Sequence, residues 1–320
     1  MVKILINDGI HPDGQLLLEE AGYQVSTEKV AQEDLEKELP NYDVICVRSA
    51  TKIRTPLINK CPNLKIICRG GVGLDNIDVK HAREKGVQVI NTPAASSKSV
   101  AELAFAHMFN LSRFLHLSNR EMPSKGVDNF KKLKKSYSKG QELRGKTLGI
   151  IGFGRIGQET AKIGLGLGMQ VLPVDLILDD ATIELSFQGL KEIKVAVTVP
   201  TVPMDEMLAK ADYISLHVPS LGKPLLGEAE MDKMKDGVVL VNTARGGTID
   251  EDALLQALKS GKVGAAGLDV FENEPTPRQD LLNHPRISVS PHIGASTGEA
   301  QRNIGLELAD KIIAFFGDDK

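Results

Sequence analysis

The chain has too few cysteines, too little net charge and too short a set of apolar runs for several classes of protein. Cys46, Cys61 and Cys68 are odd in number, lack CxxC spacing and lie in or beside apolar strand-like runs. They read as buried thiols of a reducing compartment, which excludes a disulfide scaffold and leaves no metal site expected. The 39 lysines and arginines stand against 42 acids, a formal charge of −3, which gives no electrostatic case for nucleic acid or a membrane surface. A small molecule is the expected partner. No run approaches the ~20 apolar residues that span a bilayer. The start, MVKILINDGI, lacks the charged flank, long apolar centre and cleavage site of a signal peptide, so a cytoplasmic protein is expected.

What is present is α/β alternation. At 320 residues the chain exceeds the size at which one core stops growing, so two domains are expected. VKILI, DVICV, KIIC and VQVI recur among segments of helical period such as PDGQLLLEEAG, a pattern that predicts a parallel sheet. A long helix is predicted from near Ser99, where Ser99 and Glu102 have capping-box spacing and Val100, Leu103, Ala104, Met108, Leu111 and Leu115 form an apolar stripe. It reads as a helix leaving one domain for another. The basic, polar residues 119 to 146 predict a solvated loop or short exposed helix. Alternation then restarts with TLGII, MQVLPV, VAVTV, YISLH, VVLVN, VGAAGLDV and ISVS, which predict a second sheet. The last helix, roughly 298 to 316, is expected to cross back to the first domain, leaving a cleft between the crossings.

In KTLGIIGFGRIGQETAKIG, Gly152, Gly154 and Gly157 follow a strand and head a helix, the context in which GxGxxG signals a dinucleotide. Gly152 permits the tight turn, Gly154 lets backbone approach a pyrophosphate, and Gly157 allows helix and strand to pack closely. Asp175 ends the next strand. A carboxylate there accepts from ribose hydroxyls and repels a 2′-phosphate, so NAD rather than NADP is the expected cofactor. Downstream, VNTARGGTIDEDAL, GAAGLDVFENEP and SVSPHIGAST are strand ends passing into loops, where open α/β sheets place ligand groups. Among them Arg245, Glu274 and His292 suit hydride transfer at a 2-hydroxy acid. Arginine holds the carboxylate, histidine moves the hydroxyl proton, and an acid beside the imidazole orients the ring and favours its protonated form.

GFGRIG, VNTARGG, GLDVFENEP and PHIGAST together resemble the D-isomer-specific 2-hydroxyacid dehydrogenase family over nearly the whole chain. The resemblance implies Arg245 as substrate-binding arginine, Glu274 and His292 as the acid/base pair, and Asp269 as a contact to the nicotinamide carboxamide. It further implies cofactor contacts at Gly152, Gly154, Arg155, Ile156, Gly157, Asp175, His217, Pro219, Thr243 and Gly294, those at Arg155, Ile156 and Thr243 through backbone. The expected fold is α/β with two doubly wound parallel sheets. A Rossmann NAD-binding domain over 99–292 is inserted into a flavodoxin-like substrate domain over 1–98 and 293–320. A homodimer is implied, although KKLKKSYSKGQEL lacks the tryptophan many relatives carry before the fingerprint. With the chain stopping at Lys320, no C-terminal regulatory domain is expected.

VRSATKIRTPLI followed by RGGVGLDNID looks most like the branch of the family acting on a phosphorylated three-carbon acid. Gly70, Gly71 and Gly73 are expected to expose successive backbone N–H groups as an anion-binding concavity. Arg48, Ser49 and Arg69, with Gly70, Gly71 and Val72, would grip the carboxylate and phosphate. Other readings stay open: glycines that only make a tight connection, arginines paired within their domain, an unphosphorylated oxo acid as substrate, and an NAD-sensing interaction protein.

Overall fold

The computed structural model describes residues 1–186, 189 and 193–317. The chain divides into two units, Met1–Ser97 with Ala295–Lys320, and Lys98–Gly294.

In the first unit the short β-branched runs become strands, the central three of them buried on both faces as a parallel sheet covered by helices requires. They are β1 (Lys3–Ile6), β2 (Gln24–Ser26), β3 (Val44–Val47), β4 (Ile66–Arg69) and β5 (Gln88–Asn91), joined through α1 (Pro12–Glu20), α2 (Leu35–Glu38), α3 (Thr55–Asn59) and α4 (Val79–Glu84). Every pairing is parallel, in the order β2-β1-β3-β4-β5, a flavodoxin-like winding. One face packs Leu5, Ile45, Val47 and Ile67 against Leu35, Leu57 and Ile77. The opposite face is closed by the last helix of the chain, whose Ile304, Leu308, Ile312 and Phe316 cover Ile4, Ile6, Val44 and Ile66. That helix crosses α1 so closely that a Cβ at Gly14 would lie 2.4 Å from the Gly305 carbonyl oxygen.

The second unit opens with α5 (Ser97–Ser112) and α6 (Leu115–Ser136). Its sheet comprises β6 (Thr147–Ile151), β7 (Gln170–Val174), β10 (Tyr213–Leu216), β11 (Val238–Asn242), β12 (Val263–Leu268) and β13 (Ile287–Val289). Between β7 and β10 come β8 (Asp180–Ser186) and β9 (Lys194–Pro200). The helices are α7 (Arg155–Gly166), α8 (Met204–Lys210), α9 (Glu228–Asp232), α10 (Glu251–Ser260) and α11 (Gln279–Leu282), and α12 (Gly298–Gly317) returns to the first unit. The six strands are all parallel in the order β13-β12-β11-β10-β6-β7, a doubly wound sheet with helices on both faces. Pro173 is tolerated because β7 is an edge strand.

Four expectations need correction. VAVTV, as β9, does not join the large sheet but pairs antiparallel with β8 as a separate two-stranded ribbon. Only Ile183 and Val199 of the ribbon are fully buried, so its alternating pattern is that of a half-covered hairpin. The helix expected from Ser99 begins at Ser97, so Ser99 lies inside α5 and does not cap it. The stripe breaks at Phe114, in a left-handed conformation, and Leu115 starts the next helix with 54% of its surface exposed. The basic segment divides: α6 runs for 22 residues through Pro123, with a kink at Asn129, as an exposed helix longer than expected, tied by Lys125–Glu121 at 2.6 Å and by Tyr137 to the same carboxylate, while residues 137–146 form the expected loop.

The three cysteines are buried and free. Among the described residues no helix is long and apolar enough to cross a membrane, and no group of three or more His, Cys, Asp or Glu is placed to hold a metal ion.

Candidate active site

The fingerprint forms the β6–α7 turn. Gly152 has φ +92° and lies so close to the end of β10 that a Cβ would stand 2.7 Å from the His217 carbonyl oxygen. Gly157 packs on the turn itself, where a Cβ would meet the Gly152 oxygen at 2.1 Å. At Gly154, the residue before the first turn of α7, a Cβ would meet nothing within 4 Å. Arg155 and Ile156 lie in the first turn of α7, where helix N–H groups are the donors that suit a phosphate anion. Asp175, just past β7, accepts from Phe153 N–H at 2.7 Å and from Ile177 and Leu178 N–H at 2.9 and 3.2 Å. Burial raises its carboxyl, but these backbone bonds outweigh it and hold the group below the usual carboxylate range. The same side chain thus braces the glycine turn and keeps a negative charge at the strand end. Thr243, just past β11, has a buried hydroxyl with no partner among the described residues. These features fit a dinucleotide.

His217 and Pro219 lie beyond the end of β10. Pro219 is exposed, while the His217 ring turns inward, with Nε2 3.0 Å from Thr160 Oγ1 and 2.9 Å from Ser215 Oγ. Any cofactor contact at His217 therefore belongs to its backbone.

Three loops at the carboxyl ends of β11, β12 and β13 carry Arg245, Glu274 and His292. Asn242 organises the first, its amide donating to the Arg245 carbonyl at 2.9 Å and its oxygen accepting Ala244 N–H at 3.0 Å. Gly246 then packs against the second loop: a Cβ there would lie 1.8 Å from the Phe271 carbonyl oxygen, so bare backbone is required where the two loops touch. In the second loop Glu274 Oε1 accepts Phe271 N–H at 2.9 Å. Its Oε2 lies 2.7 Å from His292 Nδ1 in the third loop. Burial pushes the Glu274 carboxyl up, yet the His292 bond, the Phe271 N–H and the charges of His292 and Arg245 together hold it below its ordinary value. The carboxylate stays ionised and fixes the imidazole through Nδ1. His292 itself has φ +54°, a left-handed conformation held only by surrounding bonds.

Asp269 supplies those bonds. It is 0% exposed, and its carboxylate takes Ser290 Oγ–H at 2.6 Å, Ile293 N–H at 2.9 Å and Gly294 N–H at 2.9 Å. Its carbonyl takes His292 N–H at 2.8 Å. Expected to touch a nicotinamide, Asp269 has no exposed surface here and instead anchors the histidine loop.

In the first unit Arg48, Ser49 and Arg69 follow or end the adjacent strands β3 and β4, with Val47 and Arg69 in register. The expected row of free N–H groups is not there: Gly70 N–H donates to Val47 O at 2.9 Å and Gly71 N–H to Thr92 Oγ1 at 2.8 Å. Gly71, at φ +138°, holds a backbone conformation that side chains rarely adopt, and the Arg69 guanidinium lies against it. The glycines seat that arginine and its strand connection. Val72 is held through its carbonyl by Asn91.

His107, Asn242, Ser288 and Ser290 were not legible as site residues. The SVSPH serines carry a weak signal, since residues two apart at a strand end face one side.

These parts meet a matching pattern in known proteins. The model of the D-isomer specific 2-hydroxyacid dehydrogenase NAD-binding domain matches residues 105–294, and the chain belongs to that family of NAD-dependent oxidoreductases. Hydroxypyruvate reductase of Thermotoga maritima is 44% identical over 98% of both chains. D-3-phosphoglycerate dehydrogenase of Methanocaldococcus jannaschii is 41% identical over 98% of this chain but 57% of its own length, so this chain spans little over half of that relative. Among solved structures, D-lactate dehydrogenase from Aquifex aeolicus complexed with NAD and lactic acid has a TM-score of 0.75 at 32% identity, covering 99% of this chain and 96% of that one.

Proposed function

We propose that the chain oxidises 3-phospho-D-glycerate to 3-phosphohydroxypyruvate with NAD. The observation that carries this is the pair of arginines, Arg48 and Arg69, at the ends of neighbouring strands, which add two cations to Arg245 for a substrate that carries a phosphate as well as a carboxylate. Bound NAD supplies the hydride acceptor. Arg245 holds the substrate carboxylate and polarises the carbon–oxygen bond, His292 takes the hydroxyl proton at Nε2, and Glu274 stabilises the imidazolium that results. In reduction the proton moves the opposite way.

A second reading, reduction of hydroxypyruvate, is favoured by the Thermotoga relative, which matches this chain at full length. Comparing kcat/KM for phosphohydroxypyruvate and hydroxypyruvate separates them. The phosphate reading expects a preference of at least about a hundredfold, near 2.7 kcal/mol for a desolvated charge pair. It also expects Arg48→Ala and Arg69→Ala to erode that preference, and equal values for the two acids refute it.

A further inference from the structure

Behind the His292 loop runs a buried chain of polar side chains to which family membership gives no role. His107, 4% exposed, projects from α5 against Gly267 of β12, where a Cβ would lie 2.7 Å from the His107 Cβ. The strand is bare at the point where the ring lies. Nδ1 is 2.9 Å from Ser288 Oγ and Nε2 is 2.9 Å from Ser290 Oγ, while Asn110 Nδ2 donates to Ser288 Oγ at 2.7 Å.

The direction of each bond follows from the end of the chain. A carboxylate only accepts, so the Ser290 hydroxyl gives its single proton to Asp269. Ser290 oxygen must then accept, which requires the proton of His107 on Nε2. Burial, opposed by the Asp269 charge and reinforced by His116, holds the His107 ring below its ordinary range, so it is neutral near pH 7 and Nδ1 accepts the Ser288 hydroxyl. Each donor finds an acceptor, and one tautomer satisfies the whole chain.

We propose that His107 is a positioning residue for the dehydrogenase reaction. Its Nε2–H aims the Ser290 hydroxyl at Asp269, and Asp269 holds Ile293 and Gly294 N–H, which keeps His292 in its left-handed conformation with Nδ1 on Glu274. The acid/base is thereby set from the far side of the sheet by a residue that touches neither substrate nor cofactor.

The test uses the full chain with Ser290→Ala, His107→Phe, the double variant, and His107→Gln, whose amide N–H reaches toward Ser290. Hydrogen exchange of the peptide spanning 288–294 is expected to quicken about tenfold in the first two. Their kcat is expected to fall about tenfold, while the Kd for NADH stays within about twofold because the fingerprint on β6 and α7 is untouched. The double variant falls no further than either single one, and His107→Gln recovers most of the loss. Should His107→Phe fail to fold, Ser290→Ala carries the test alone. Unchanged exchange or kcat in Ser290→Ala, losses that multiply in the double variant, or an equal loss of NADH affinity overturns the proposal. It rests on His292 as the acid/base, which His292→Ala checks separately: wild-type turnover there sinks that reading, whereas a dead His292→Ala beside an unimpaired Ser290→Ala sinks this one.

Discussion

The most exacting prediction concerns His217. Its Nε2 faces Thr160 and Ser215, and because the Thr160 hydroxyl donates to Ile156 O, Nε2 carries the proton. Nδ1 is buried with no partner, so a second proton would put a charge where nothing accepts it. Burial pulls the imidazole down to about 3 in the folded state, against about 6.5 in an unfolded chain. A histidine whose folded value is lowered binds its proton first in the unfolded state, so stability is intact above the unfolded value and declines as pH falls below it. From about pH 7 to about pH 5 the loss is at most about 2 kcal/mol, approaching 1.4 kcal/mol per pH unit at the acid end. Urea unfolding followed by circular dichroism measures it. His217→Gln keeps an amide for Thr160 and Ser215 but does not titrate, so it is expected to escape about 2 kcal/mol of the acid loss. His107 and His284 are lowered in the same sense and contribute equally to both proteins. Equal losses in wild type and variant refute the reasoning.

Glu274→Gln is expected to lower kcat about 10- to 100-fold, the worth of one charge-assisted bond of about 1.5–3 kcal/mol, with little change in NADH affinity. Because the Glu274 carboxyl is lowered, its charge is lost only as pH falls through that depressed value, so a pH–rate profile above about pH 5 should carry no limb from this group. Gly157→Ala puts a methyl 2.1 Å from the Gly152 oxygen and is expected to weaken NADH binding at least tenfold, about 1.4 kcal/mol by fluorescence titration. Its control, Gly166→Ala in the same helix with open space around it, should bind normally and gain up to about 1 kcal/mol. Gly14→Ala forces apart the crossing of α1 and α12 and is expected to cost about 1–3 kcal/mol, read as a lowered Tm.

Much of this was legible in the chain because the chemistry sits where patterns change. Gly152, Gly154 and Gly157 stand between a strand run and a helix run, and Arg245, Glu274 and His292 each follow a β-branched stretch, so local sequence locates them. Where meaning lay in long-range pairing, sequence gave no hold. VAVTV has the composition of a central strand, and only its antiparallel partner Asp180–Ser186 identifies a hairpin. The glycines after β4 suggested donors, but Val47 and Thr92 had already claimed two of them. A lone histidine in the apolar stripe of α5 reads as core until its partners Ser288 and Ser290, more than 180 positions on, come into view. Residues 119 to 136 gave a weak helix signal because α6 buries only Leu133 of this stretch, leaving little apolar periodicity to read.

The interleaving of the two units bears on how the chain is made. Residues from Lys98 to Gly294 form an uninterrupted stretch, so this half can reach its native state while the ribosome is still at work. The flavodoxin-like sheet, although synthesised first, has only Leu18 and Leu17 of α1 over Ile4, Ile6, Val44 and Ile66 on one side until Ile304 through Phe316 emerge. The N-terminal part of the polypeptide is therefore the last to mature, and during elongation it presents a sticky surface that a chaperone would shield.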